Sequence, residues 1–377
     1  MNSGPHPGYR VAGQWWRPGR AAPALTLVAA GAVVAMVLVF QHTMLGMLAL
    51  WSRSATFAHG FAVLPVAAWL AWRQRHALLL VLAAPAPAPA PLRQRLAGPL
   101  LMLPLGLAWL LASLVPAPVV MDYALVLMLA ATVLATLGWP ATRVLAFPLS
   151  YMLLAVPFGE VFIPPLINFT ANFTVAALQL SGIPVYRDQQ LLSIPSGNWS
   201  VEAACSGLRY LIASVALGTL YAHLSFRSGW RRLLFVAIAL LLPLLANGLR
   251  AYGIVLLGHW SDMRLAVGVD HLVYGWLFFG LVCLLLFWCG SFWRETALPP
   301  TPPGPPCAAP SSTMPLSALR HGLAGAGACL GLALGWSLLS TALAPADGVH
   351  AGLRLELERF VAVLRPTALE LRHAAER

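Results

Sequence analysis

Residues Leu233–Arg250 read LLFVAIALLLPLLANGLR, an apolar run that closes on an asparagine and an arginine. The run is unbroken, with no alternation of apolar and polar positions, so it reads as a buried helix, not a half-buried strand. A helix rises about 1.5 Å per residue, so about 20 apolar residues cross a ~30 Å hydrocarbon core. Eight further runs of this kind occur, at 21–40, 60–72, 96–115, 119–137, 144–156, 208–224, 271–289 and 322–342. The second is short unless it extends into 73–81.

Composition agrees with that reading. Hydrophobic residues make up 59% of the 377 and charged residues only 9%, against roughly 25% charged in soluble proteins. Mean hydropathy is +0.77. Only helices and closed barrels satisfy their backbone polar groups in lipid, and runs this long select helices. The expected fold class is therefore an all-α polytopic membrane protein. It has about eight core transmembrane helices, a ninth beyond them, and a long extracytoplasmic loop at 158–206.

The net charge of +11 is carried by arginine, since the chain has no lysine. These arginines sit in short loops between apolar runs, which speaks against a nucleic-acid partner and for topology signals in a lipid bilayer. With the N-terminus inside, Arg73, Arg75, Arg93, Arg95, Arg143, Arg227, Arg231, Arg232, Arg294 and Arg320 fall on the inner side. Arg53, Arg187, Arg209, Arg250 and Arg264 fall on the outer. Arg10, Arg17 and Arg20 precede the first run in the order of a signal peptide. That run is long and lacks an Ala-x-Ala site, so it reads as an uncleaved helix.

Four segments follow: 1–20, an inner N-terminal piece; 21–295, an eight-helix membrane core; 296–315, a Pro-rich linker; and 316–377, a further helix with an amphipathic tail. A second connector at 85–91 alternates Ala and Pro, a semi-rigid spacer. Within the outer loop, Val161–Leu180 is apolar enough to lie against the membrane or re-enter it. Beyond it, Gly182–Tyr186, Gln190–Ile194 and Trp199–Glu202 read as short extended pieces around a turn at Ser196-Gly197-Asn198.

This topology brings Cys205, Arg250 and His271 to the same outer depth, although the helices were placed from hydropathy and arginine counts alone. Of the five cysteines, none forms a C-x-x-C pair or has histidine at zinc spacing, and no metal or cofactor is expected. Cys283, Cys289 and Cys329 lie in apolar runs, where cysteine is usually an inert hydrophobe. Cys205 instead opens a helix, with Arg209 four residues on. A thiol attacks as thiolate, and a helix N-terminus or a nearby cation favours that form.

Arg250 shares a helix face with Asn247, and a guanidinium or amide aimed at a developing oxyanion is the second requirement of acyl transfer. An arginine snorkelling to headgroups is the bland alternative. His271, beside Asp270, supplies a proton shuttle. His259 is a weaker rival for that role, and His59 and Glu202 are supporting or substrate-contact candidates. Whether Arg250 or Arg209 faces the thiol is open at this level. The sequons at Asn168, Asn172 and Asn198 carry little meaning.

Glu202–Tyr210 (EAACSGLRY), Ala246–Tyr252 (ANGLRAY) and Gly268–Trp276 (GVDHLVYGW) together resemble the exosortase family. Ala58–Phe61, Val156–Glu160 and Ile194–Val201 match as well, in order, from roughly 51 to 295. The resemblance is to the exosortase A type. It implies a bacterial inner-membrane cysteine protease and transpeptidase whose catalytic Cys, Arg and His fall on Cys205, Arg250 and His271. Implied partners are exported membrane-anchored proteins with a C-terminal Pro-Glu-Pro sorting signal, and polysaccharide-biosynthesis proteins. Two departures stand out. Arg187-Asp188-Gln189 occupies a turn where glycine is common in the family, and many chains of this type continue into a periplasmic companion domain. A transporter, an export component or a scaffold for polysaccharide assembly is the rival from another class. Its intramembrane charges would sit near mid-bilayer.

Overall fold

The computed structural model describes residues 10–11, 14–15, 21–84, 92–115, 117–261, 271–295 and 316–343. Two short strands, β1 (Arg10–Val11) and β2 (Gln14–Trp15), pair ahead of the helices. The first half then runs through α1 (Ala21–Val39), α2 (Gln41–Arg53), α3 (Gly60–Arg73), α4 (Arg75–Ala83), α5 (Leu92–Leu114) and α6 (Pro118–Leu137). Next come α7 (Trp139–Val144), α8 (Ala146–Tyr151) and a 3-10 turn at Met152–Ala155. The second half holds α9 (Ile163–Leu180), β3 (Tyr186–Asp188), β4 (Leu191–Ile194), β5 (Gly197–Ser200) and a 3-10 turn at Ala203–Cys205. It ends with α10 (Leu208–Ser225), α11 (Gly229–Trp260), α12 (His271–Ser291) and α13 (Leu316–Leu343).

Among the described residues six helices are long and apolar enough to cross a membrane, and three shorter apolar helices accompany them. The chain is an all-α polytopic membrane protein. The expected 60–72 run is α3, and the stretch after it forms a separate helix, α4, divided from it at Gln74. The 144–156 stretch divides at Leu145, because Pro148 lacks an N–H and its ring collides with the carbonyl of residue 144.

The helix α13, expected as an addition beyond the core, packs against it along one face, with Cys329 and Ala333 fully buried. It meets α1, α5 and α6 through small residues that let backbones approach. A methyl on Gly322 would lie 2.9 Å from the Thr136 carbonyl oxygen, and one on Gly106 would overlap the Trp336 ring. A second group, α10 to α12, stacks Tyr221 between Phe235 and Phe287. Phe147 on α8, stacked on His223 at 3.5 Å, joins the two groups.

The arginine-rich ends gather at one end of the molecule. Ala22, Leu25, Leu78, Leu82, Leu137, Ala141 and Leu145 form one cluster there, and Arg95 reaches His321 at 3.0 Å. Glu295, just past α12, accepts the N–H groups of Arg227 and Ser228 and pairs with Arg231 at 3.4 Å.

The long outer segment holds a helix, α9, over its apolar stretch, and three strands close to where short extended pieces were expected. Pro164 and Pro165 suit the first turn of α9, where N–H groups have no helical partner. Ile167, Ala171, Thr174 and Leu178 then form its buried stripe. The strands β3, β4 and β5 pair antiparallel in that order, with Leu192 opposite Arg187 on one side and Trp199 on the other.

Helix α11 explains where this layer sits. It has 32 residues, about 48 Å at about 1.5 Å each, well over a ~30 Å hydrocarbon core. Antiparallel α10 covers its first part, with the Ser214 hydroxyl donating to Ala239 O at 2.8 Å. Beyond Asn247 the neighbour is α9: Phe173 packs on Gly248, Ser181 meets Tyr252 at 2.6 Å, and Leu178 clusters with Val255. Although apolar enough to count as a span, α9 runs parallel to α11 along its second half only. We read it as a capping helix over the end that carries Cys205.

The Glu295 clamp gives a pH-dependent expectation. Its carboxyl is held below the ordinary 4.5, first by the Ser228 and Arg227 N–H groups and then by the nearby arginines. A carboxylate with a depressed folded value stabilises above its ordinary value and loses that contribution as pH falls through the folded one. Glu295→Gln should therefore lower the unfolding midpoint of detergent-purified protein at neutral pH. The gap to wild type should close well below pH 4.5; a gap independent of pH would contradict the clamp.

Candidate active site

Cys205 ends a 3-10 turn that receives the chain from the sheet. Val201 donates its N–H to Gln190 O at 2.9 Å, leaving β5, and Cys205 donates its own to Glu202 O at 2.8 Å. The thiol-bearing residue is half-buried beside Ile167, Leu192 and Val201. Two residues later Gly207 adopts φ +77° and α10 begins. A left-handed residue at that position favours glycine.

A buried amide fixes this turn from the side. Asn247, 4% exposed, donates through Nδ2 to the Cys205 carbonyl at 2.8 Å and to Thr170 Oγ1 at 3.0 Å. The Thr170 hydroxyl spends its proton on Leu166 O at 2.9 Å, so its oxygen must accept, and the amide orientation follows. Close approach is also required: a methyl on Gly207 would stand 2.7 Å from Asn247 Cγ. With both amide N–H groups engaged, Asn247 holds the Cys205 backbone and does not reach for an oxyanion.

Arg250 follows Asn247 by three residues on α11, on the same side of the helix. Its guanidinium carbon lies 5.7 Å from the centre of the Tyr210 ring. Its Nη2 is 3.4 Å from where a methyl on Gly275 would stand. Gly275 lies one turn after His271, the first residue of α12. The structure thus brings the turn of Cys205, the guanidinium of Arg250 and the start of α12 to one place. The His271 side chain and Asp270 lie outside the described residues.

The other candidates separate clearly. Arg209 is half-buried and, among the described residues, makes no hydrogen bond or ion pair, whereas Arg250 is seated. The Glu202 side chain is exposed, and only its backbone takes part in the turn. The Nδ1 atom of His259 pairs with Ser196 Oγ at 2.9 Å, tying α11 to the β4–β5 turn. The ring of His59 lies between Leu154 O at 2.9 Å and Thr56 O at 3.2 Å. Trp51 Nε1 donates to Ala155 O at 3.0 Å. These two residues hold the 152–155 turn, and Gly159 beyond it packs on Leu208.

Two of the three sequon asparagines, Asn168 and Asn172, have a structural use. Arg187 donates to Asn172 Oδ1, to Asn168 Oδ1 and to Gln189 O. Gln189 takes φ +51° in that turn, at a position where a side chain is strained and glycine is the usual solution. Thr170 and Tyr210 are the site residues that sequence reasoning passed over. Tyr210 lay inside the quoted motif, while Thr170 gave no local signal.

The fold and this constellation define a polytopic helical membrane protein with a thiol and a guanidinium gathered at one end of the bundle. A family model described as transmembrane exosortase matches residues 51–288, well over half of the chain. The chain belongs to the transmembrane exosortase family. Neither a curated protein nor a solved structure matches it.

Asn247→Ala should leave the Cys205 carbonyl and Thr170 without their donor, at about 1–3 kcal/mol for a buried orphaned group. The expected result is a lower unfolding midpoint together with a changed rate of Cys205 alkylation. Gly207→Ala should act in the same direction, through φ and through contact with Asn247. An unchanged alkylation rate in both variants would remove Asn247 from the support of the thiol.

Proposed function

We propose that the chain is a membrane-embedded cysteine peptidase and transpeptidase. Its substrates would be exported proteins bearing a C-terminal Pro-Glu-Pro-type sorting signal. They would be cut at the periplasmic face of a bacterial inner membrane, in cells making extracellular polysaccharide. The observation that carries this reading is the pairing of Cys205 and Arg250 through α11: the amide holding the thiol's turn stands one helical turn before the guanidinium.

In this mechanism the Cys205 thiolate attacks the scissile carbonyl of a membrane-tethered substrate. Arg250 stabilises the oxyanion that forms. The C–N bond breaks, the leaving amine takes a proton from His271, and a thioester joins the substrate to Cys205. An incoming amine, or water, then gives its proton to the now neutral His271 and attacks the thioester, the C–S bond breaks, and the Cys205 thiolate leaves with His271 protonated as at the start. Asn247 keeps the Cys205 turn in place throughout. The clustering of these polar groups at one end of the bundle favours an outer-face reaction over a transport path through mid-bilayer.

The test is co-expression of a Pro-Glu-Pro-tailed membrane protein with wild type or Cys205→Ala at equal membrane abundance. Intact mass and gel mobility report the outcome. Processing by wild type alone, with a trapped thioester, is expected, and Arg250→Ala should lower processing by at least about 100-fold. Equal processing in both strains would sink the cysteine mechanism and leave transport or scaffolding.

A further inference from the structure

The strand β5 is the last strand before the Cys205 turn, and it stands at the edge of its sheet, whose order is β3, β4, β5. The register shows which of its backbone groups face outward. Val201 donates its N–H to Gln190 O at 2.9 Å, in the same register that sets Trp199 opposite Leu192 and Gly197 opposite Ile194. In an antiparallel pair, residues that exchange hydrogen bonds alternate with residues that do not. Gly197, Trp199 and Val201 therefore turn their N–H and C=O groups to β4, while Asn198, Ser200 and Glu202 turn theirs away. Glu202 is still extended, at φ −83° and ψ 172°, so this edge continues to the turn, where its carbonyl accepts the Cys205 N–H at 2.8 Å. Asn198, Ser200 and Glu202 are exposed. Among the described residues, the Asn198 and Ser200 backbone groups and the Glu202 N–H have no backbone partner on that side.

The two edges of the sheet are not equivalent. By the same alternation β3 (Tyr186–Asp188) turns only Arg187 outward, and that side chain is bound to Asn168 and Asn172 of α9. The strand β3 also lies two strands from β5, about 10 Å at about 4.8 Å per strand. The two faces differ as well. Leu192, Ile194 and Val201 are buried, with Trp199 packed among them, whereas Leu191, Asn198 and Ser200 are exposed. An open edge is a template for another extended chain, and sheets commonly blunt it with charge or proline. Gly197–Ser200 carries neither.

We propose that the β5 edge is the substrate-binding strand: an extended segment of the membrane-anchored substrate adds to it as a fourth strand and is led to the Cys205 turn. The choice of occupant rests on the acyl-transfer reading above. In strand addition the main-chain bonds supply the grip and alternate side chains the selectivity. A Pro-Glu-Pro segment suits this edge. Proline has no N–H to give and is tolerated in a sheet where its nitrogen faces away from the neighbouring strand. The two prolines are one residue apart, so both face away when the glutamate between them bonds to β5. Directly opposed residues share a face, so the glutamate side chain lies with those of Asn198 and Ser200 on the exposed face. The prolines lie on the face of Trp199.

The experiment uses full-length Cys205→Ala protein co-expressed with a Pro-Glu-Pro-tailed membrane protein, so that binding is read without cleavage. Single cysteines are placed in turn at about ten successive substrate positions across the motif, against Asn198→Cys or Ser200→Cys in the edge. Disulfide cross-links are followed on gels. Asn198→Cys should cross-link at the glutamate position and at positions an even number of residues from it, about five-fold or more above the proline positions. Ser200→Cys should move the strongest partner by two residues. Asp188→Cys, on the same face of the far strand, should cross-link to none. In the Cys205 enzyme, Ser200→Pro removes one outward N–H and leaves the β4 bonds intact. It should lower kcat/KM about five-fold with an unfolding midpoint near that of wild type. Cross-links without a two-residue period, or equally strong from Asp188→Cys, would overturn the proposal. Periodic cross-links without Cys205-dependent processing in wild type would defeat the acyl-transfer reading alone, and processing without the period would defeat the added strand alone.

Discussion

The amide of Asn247 donating to the Cys205 carbonyl is the contact on which this site depends. It crosses from the middle of α11 to the turn that opens α10, and so ties the thiol to the helix that carries Arg250. Burying an amide in apolar surroundings without partners costs several kcal/mol, so the surrounding chain must comply with it. Gly207 complies by having no side chain and by turning left-handed. Thr170 complies by presenting its oxygen, having given its proton to Leu166. Remove any of these and the amide loses either its space or its acceptor.

The excess length of α11 decides where that contact falls. One half of the helix serves the bilayer-spanning group with α10, and the other rises beside α9 and the three strands. Asn247 stands at the junction of the two. Opposite it, the α1, α5, α6 and α13 group closes through glycine and alanine contacts, where no hydrophobic force distinguishes protein from lipid. That group offers a rigid wall. It reaches the site through the 152–155 turn, which Trp51 and His59 pin by its carbonyls.

Much of this was legible in the sequence. Unbroken apolar runs declare helices, and the arginines that follow or precede them declare their ends. The structure gathers those ends as the counts required. Cys205 and Arg250 could be matched by depth because both sit at run boundaries. The segment before Cys205 was less legible. Its helix α9 stands out as the apolar stretch 161–180, but Asn168 and Asn172 on one side and a Thr170/Thr174 pair on another leave its relation to the membrane unread in hydropathy alone. The spacing of Ile167, Ala171, Thr174 and Leu178 marks the face it buries. The bond from Thr170 to Asn247 joins residues 77 apart, and no local pattern announces such a pairing. Tyr210 was passed over for a different reason: an aromatic at the head of a membrane helix ordinarily anchors at the interface.

In the proposed mechanism the Cys205 thiolate and the Arg250 guanidinium also have a reason to meet at this level and not deeper. In mid-bilayer each ion would carry a desolvation cost that only a close pair could offset. Such a pair would neutralise the groups the chemistry needs. In open water the guanidinium would be screened and loosely held. At the junction above α10, Arg250 is half-buried, its guanidinium carbon 5.7 Å from the centre of the Tyr210 ring. Cys205 is half-buried against Ile167, Leu192 and Val201. That setting excludes part of the solvent from both residues. A substrate tethered by its own membrane helix would present a peptide bond just outside the hydrocarbon, at that same height. On the proposed function, the junction is thus where a membrane-anchored substrate and an ionic site would meet without either leaving the medium that stabilises it.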